Sequence, residues 1–316
     1  MQDKQKKVFI DGSVGTTGLR IKDRLIERSD IELILLPEEI RKDAAARKDA
    51  IEKADIAFFC LPDDAAREAA EMMSGSDTVI IDTSTAHRTA DGWTYGMPEL
   101  GGGAQRELIK NSKRISNPGC HASGFIALIA PLIEKGLIAE DAALSCFSLT
   151  GYSGGGKKMI ADYEDPANTE SLAAPRQYGI GQSHKHLKEM QALTGLKTAP
   201  IFSPIVSSYY SGMEVSVPLF AKDLKGGMED VKRVYSSYSG LIRYCEDIDD
   251  AGFISASKMS GRDDMLISVS GNDERMILTA VFDNLGKGAS GAAIQNMNIV
   301  MGTDEAAGLV TSEKDS

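Results

Sequence analysis

Cys120 follows an Asn117-Pro118-Gly119 turn and opens an apolar run from Phe125 to Ile133. Pro118 lacks a backbone donor and biases Asn117 away from helix, and Gly119 can take backbone angles closed to other residues. The run reads as a helix, interrupted or capped near Pro131, with Cys120 at or just before its N-terminus. Unpaired N–H groups and the positive end of the dipole there favour a thiolate. Such a thiolate is a nucleophile, and the adjacent N–H groups could hold an oxyanion. The alternative is a small buried cysteine with no chemistry, and this stretch alone does not decide. His184 and His186 are the histidines that could face Cys120. They stand at the start of a helix read from Ser183, where residues two apart diverge, so at most one should face Cys120; exposed histidines at a helix start are the other reading. In Gly151-Tyr152-Ser153-Gly154-Gly155-Gly156-Lys157-Lys158, backbone amides and a lysine could bind phosphate, although a flexible hairpin loop is the stronger reading without context.

The elements that would position these groups begin with a strand at Lys7–Ile10. Asp11-Gly12-Ser13-Val14-Gly15-Thr16-Thr17-Gly18 and a helical pattern from Leu19 to about Arg28 follow. Strand, glycine loop and helix form a phosphate-cradling arrangement, here with G-x-x-G-x-x-G spacing. A second strand at Ile31–Leu36 leads to Glu38, which would suit the ribose of NAD, and to Arg41-Lys42, which would suit the extra phosphate of NADP. Further strands are expected at Ala54–Cys60 and Thr78–Asp82, with helices between them and Thr83-Ser84 at a strand's carboxyl end. This alternation predicts an α/β fold with a Rossmann-type, doubly wound parallel sheet. After Cys120 the pattern changes: strands at Ala143–Thr150, Met213–Phe220, Ile254–Ala256, Met265–Ser270 and Arg275–Asp283, and a helix at Met228–Tyr244. That clustering predicts a second, α+β domain with a mixed or antiparallel sheet. The small-residue helix after Asn284 should return to the first domain. The expected division is residues 1–119 with 285–316, and residues 120–284. The segment Asp162–Ser183 has little periodicity and is the place to look for a lid.

The chain has 316 residues, a net charge of −11, 42 % hydrophobic and 26 % charged residues, an ordinary globular composition. The negative balance argues against a nucleic-acid or anionic-membrane partner. Four scattered cysteines fit neither a disulfide framework nor a zinc site, and four histidines argue against a multi-histidine metal centre, although His184 and His186 could share one. The N-terminal Met-Gln-Asp-Lys-Gln-Lys-Lys carries no signal-peptide pattern, and no apolar run approaches the ~18 residues of a membrane span. A cytoplasmic setting is expected.

Taken in order, several segments resemble the N-acetyl-γ-glutamyl-phosphate reductases of the semialdehyde dehydrogenase group, in their shorter form. They are the glycine loop at Gly12, Asp82-Thr83-Ser84 with Arg88, Tyr95-Gly96-Met97-Pro98-Glu99-Leu100, Asn117-Pro118-Gly119-Cys120, Gly151-Tyr152-Ser153-Gly154, His184-x-His186 and Asp283–Ser290. His121 after the cysteine marks that shorter form. The resemblance implies NADPH-dependent reduction of N-acetyl-γ-glutamyl phosphate to N-acetylglutamate 5-semialdehyde, with release of phosphate, through a thioester on Cys120. It implies His186, or else His184, as acid–base group. It implies NADP contacts from Gly12, Gly15, Thr16, Thr17, Gly18, Arg41, Thr83, Ser84 and Asn284. Arg114, Ser153, Lys157 and Arg176 are candidates for holding the substrate's phosphate and α-carboxylate, and a homo-oligomer, dimer or tetramer, is expected. Three rivals are weighed: an enzyme like aspartate-semialdehyde dehydrogenase, a non-catalytic dinucleotide-binding sensor, and a cysteine hydrolase, in which the glycine loop would have no role.

Overall fold

The computed structural model describes residues 5–311; residues 1–4 and 312–316, at the ends of the lead and of the C-terminal segment, lie outside it. The described chain divides into two compact units. The first comprises the residues up to Pro98, Arg106–Pro118 and Ser290–Leu309; the second comprises Glu99–Gln105, Gly119–Ala289 and the residues from Val310.

In the first unit, strands β1 (Lys6–Asp11), β2 (Ile31–Ile34), β3 (Ile56–Phe59), β4 (Val79–Asp82), β5 (Thr94–Tyr95) and β6 (Arg114–Ser116) form a sheet in the order β2-β1-β3-β4-β6-β5. Every pairing is parallel. β3 is buried along its whole length, as its apolar run requires in a sheet covered on both faces. Helices Thr16–Leu25, Ala44–Lys53 and Asp63–Met72 are the crossovers between β1 and β4, and Gly291–Met301 belongs to the same unit.

The second unit holds β7 (Ser145–Gly151), β8 (Arg176–Gln177), β9 (Ile201–Ser207), β10 (Met213–Phe220), β11 (Ile242–Tyr244), β12 (Met265–Gly271) and β13 (Arg275–Phe282), in the order β11-β12-β13-β10-β7-β9-β8. The sheet is mixed, with β7–β9 and β11–β12 parallel and the rest antiparallel. One face packs on the helix Cys120–Glu134: a side chain at Gly124 would come within 2.6 Å of Val215 and 2.9 Å of Phe282. The other face exposes Phe147, Ile201, Phe220 and Ile277.

Three sequence expectations change. The helix from Met228 ends at Tyr235, and the chain enters β11 by Ile242. Ile254–Ala256 is not a strand; Ile254 packs from a turn-rich segment onto Ile248, Met259 and Val281. The helix of Cys120 runs through Pro131 to Glu134. Proline at 131 removes the N–H that would bond the Ala127 carbonyl, and the Tyr238 hydroxyl donates to that carbonyl instead at 2.8 Å.

Candidate active site

The first unit's site is built on the turn after β1. Gly12 has φ +87, and a Cβ there would lie 2.3 Å from the Cys60 carbonyl oxygen. Only glycine fits this left-handed corner against the end of β3. Gly15 donates its N–H to the Gly12 carbonyl at 3.0 Å and caps the helix that starts at Thr16. A Cβ at Gly18 would lie 2.4 Å from the Gly12 oxygen, so the helix's first turn hugs the loop. The helix N-terminus presents free donors and positive potential to an anion, and these residues fit a dinucleotide's pyrophosphate. Beside the loop lies a cleft of about 220 Å³ lined by Gly12, Ser13, Val14, Leu35, Arg41 and Lys42. Glu38 pairs with Arg41 at 3.0 Å. Arg47 also lines the cleft; its Nε donates to Oδ1 and Oδ2 of buried Asp11 at 3.1 and 3.0 Å, and its Nη2 donates to Oδ2 at 2.7 Å. At the neighbouring strand ends, the Thr83 hydroxyl donates to the Phe59 carbonyl and the Ser84 hydroxyl to Asp82. Arg114 sits on β6, where its guanidinium donates to the carbonyls of Thr78, Lys113 and Met73.

The second unit's site centres on Cys120, the first residue of its helix. Gly119, the cap, is fixed on both sides. Its N–H donates to Glu189 Oε1 at 2.8 Å, and its carbonyl accepts from the Ser123 N–H at 2.8 Å and hydroxyl at 3.0 Å. Gly288 closes in from the loop after β13, where a Cβ would lie 2.9 Å from that of Cys120. None of the four cysteines is in a disulfide. Burial pushes the Cys60 thiol up to about 12 and Cys146 higher still.

His121, next to the cysteine, is buried; its Nδ1 lies 2.7 Å from the Ser148 hydroxyl and its Nε2 2.6 Å from that of Tyr178. Burial, helped by His184, pulls its pKa down to about 3, so the ring is neutral at ordinary pH. Burial and the nearby Cys120 push the Tyr178 hydroxyl up. The centroids of His184 and His186 lie 5.8 and 5.5 Å from that of His121, and 4.8 Å from each other. The expected divergence of the pair is therefore corrected: the helix begins at His186, and His184 lies before it, its Nδ1 accepting the His186 N–H at 3.3 Å. Burial, then Lys185, lowers the His184 pKa, with Glu189 opposing.

Ser153 and Asn284 are brought together. The Asn284 amide donates to Ser153 Oγ at 3.0 Å and accepts the Gly212 N–H at 2.9 Å. The glycine stretch beyond Ser153 is not a hairpin loop but a 3₁₀ turn, Tyr152–Gly155, feeding a helix, Gly156–Glu164, with Lys157 exposed in its first turn. Arg176 lies on β8 with its guanidinium on Tyr163. Lys287 is buried against Glu99 at 2.6 Å. Sequence reasoning missed Glu189, Ser148 and Tyr178, which carry no local signal. In the sequence His121 stands out only as a mark of the family.

Residues 120–284 match the semialdehyde dehydrogenase dimerisation domain, and residues 36–111 the semialdehyde dehydrogenase NAD-binding domain. The fold is that of such dehydrogenases: aspartate semialdehyde dehydrogenase II of Vibrio cholerae superposes with a TM-score of 0.73 at 17 % identity, covering 95 % of this chain and 99 % of that one. The enzyme of Candida albicans, solved with NADP, gives 0.67 at 16 %, covering 96 % and 100 %. Sequence likeness is narrower. The N-acetyl-gamma-glutamyl-phosphate reductase of Allorhizobium ampelinum is 44 % identical over 93 % of this chain and 98 % of its own length. N-acetyl-gamma-glutamyl-phosphate reductase 2 of a Nostoc species is 40 % identical over 96 % and 99 %. The chain belongs to the N-acetyl-γ-glutamyl-phosphate reductases of the semialdehyde dehydrogenase family.

Proposed function

We propose that the protein reduces N-acetyl-γ-glutamyl phosphate to N-acetylglutamate 5-semialdehyde in arginine biosynthesis, with Cys120 as nucleophile. The observation that carries this reading is the cysteine at the first residue of a buried helix, its cap fixed by Glu189, beside a cluster of three histidines. The helix terminus favours the thiolate. Cys120 Sγ attacks the acyl carbon, the bond to the phosphate oxygen breaks, and phosphate leaves with the electron pair, giving a thioester. When bound, the nicotinamide cofactor supplies the hydride that reduces this carbonyl. A histidine protonates the resulting oxyanion. His121 is a poor candidate, being neutral with both nitrogens next to hydroxyls. His186 is the proposed acid, with His184 beside it. Collapse of the thiohemiacetal returns that proton to the histidine, breaks the C–S bond and restores the thiolate. Ser153, held by Asn284, and Lys157 at the following helix start are the proposed phosphate contacts.

The cofactor is proposed to be NADP. Arg41 and Lys42 line the first unit's cleft, where they would meet a 2′-phosphate, and the glycine turn from Gly12 to Gly18 would hold the pyrophosphate. Arg41→Ala is expected to raise KM for NADP about tenfold while leaving KM for NAD within twofold; equal effects on both would remove the assignment. The experiment for the function is the reverse reaction: N-acetylglutamate semialdehyde, phosphate and NADP, followed by NADPH absorbance. Turnover that needs phosphate supports the reading, and its absence with NADP still bound overturns it.

The exposed sheet face supports a homo-oligomer. Phe147, Ile277 and Phe220 form an apolar patch on a unit of the dimerisation-domain type. Phe147→Lys with Ile277→Lys puts two charges on that face and is expected to convert the oligomer to monomer by light scattering; an unchanged mass would place the interface elsewhere.

A further inference from the structure

The proposed substrate carries an α-carboxylate about 5 Å from the reacting carbon, four single bonds away. We infer that Arg176 binds this carboxylate and that Tyr163 is the positioning residue that aims its guanidinium; the inference rests on the function proposed above. Register carries the argument. Arg176 pairs with Val206 across the antiparallel β8–β9 ladder, and cross-strand partners share a face. On β9, Phe202 lies on that same face, four residues before Val206, and its ring meets His121 and His184 at 5.3 and 5.2 Å. The ladder continues past β8, since the Tyr178 N–H donates to the Pro204 carbonyl at 3.0 Å. Tyr178 is two residues from Arg176 and so again on its face, about 6.5 Å along the strand. Its hydroxyl reaches His121, the neighbour of Cys120. Arg176 is thus on the histidine side of the sheet.

The guanidinium is aimed but not neutralised. Its Nε and Nη2 donate to the Tyr163 hydroxyl at 3.2 and 3.0 Å, and its carbon lies 5.2 Å from that ring's centroid. Tyr163 is stacked on Tyr152 at 4.9 Å, which in turn meets Tyr210 edge-on. A neutral phenol orients the fork while leaving its positive charge for an anion, and an arginine fork matches a carboxylate in two parallel hydrogen bonds. Arg114 makes the contrast, with its donors on backbone carbonyls.

The test compares N-acetylglutamate semialdehyde with 4-acetamidobutanal, the same aldehyde without the carboxylate, in the reverse assay. Arg176→Met is expected to raise KM for the first about 100-fold, with kcat within a fewfold and kcat/KM for the second unchanged. Arg176→Lys should recover part of the loss. Tyr163→Phe should raise KM for the first about tenfold without changing kcat. An unchanged KM in Arg176→Met, or the same loss with both aldehydes, overturns the inference. Wild-type protein inert toward N-acetylglutamate semialdehyde would overturn the proposed function itself, and this inference with it; activity on that aldehyde with no preference over 4-acetamidobutanal would overturn the inference alone.

Discussion

Cys120→Ser is expected to lower kcat of the phosphate-dependent reverse reaction by about 10⁴-fold or more, with NADP binding unchanged. The size follows from the job. Sulfur must attack as an anion, form an acyl bond that conjugates weakly with its carbonyl, and leave again. A serine hydroxyl at the same helix start is neither ionised nor a good leaving group. No other thiol can substitute from where it sits: Cys60 and Cys146 are held protonated by burial, and Cys245 lies in the segment after β11, close to Ile248 and Val281. Iodoacetamide labelling supplies a second readout. Alkylation should fall on Cys120 below the pH at which an ordinary thiol reacts, and should abolish turnover in step. A serine variant that keeps a tenth of the wild-type rate would end the thioester mechanism.

Lys287→Met is expected to destabilise the folded protein by about 3–5 kcal/mol, read from the midpoint of urea unfolding. Lys287 is 3 % and Glu99 5 % exposed, and they meet at 2.6 Å. Removing the lysine leaves a buried carboxylate without its cation, which costs far more than an exposed ion pair contributes. The double variant Glu99→Gln with Lys287→Met should recover much of the loss, because no charge then remains to be desolvated. A single variant within 1 kcal/mol of wild type would show that water reaches the pair. Activity should fall as well, since the neighbouring Gly288 packs on Cys120.

Local signals in the sequence carried the framework. Strand–helix alternation specified the parallel sheet of the first unit, and the Asn-Pro-Gly-Cys turn placed a cysteine at a helix start, because each depends on residues near in sequence. The second sheet was legible as α+β but not strand by strand. β9 carries Pro204, which in a sequence reads as a strand breaker, yet it lies inside the ladder opposite Ser148. The apolar pattern of the Met228 helix continues past its end at Tyr235 because Leu241 leads into the strand that begins at Ile242. The histidine cluster was out of reach for another reason: His121, Ser148, Tyr178 and His184 come from four segments that only the strand order brings together. Glu189 carries no signal of its own in the sequence, and only the fold turns it onto the Gly119 N–H.

The bond from Tyr238 to the Ala127 carbonyl has an evolutionary consequence. Pro131 and Tyr238 are 107 positions apart, by the difference of their numbers, yet a single acceptor couples them. With proline at 131, losing the hydroxyl strands a buried carbonyl on the helix that starts at the nucleophile. With any other residue at 131, the helix supplies its own donor and position 238 becomes free to drift. The order of substitution is therefore constrained: along a lineage, the proline must be given up before the tyrosine can be, and gained only after the tyrosine is in place.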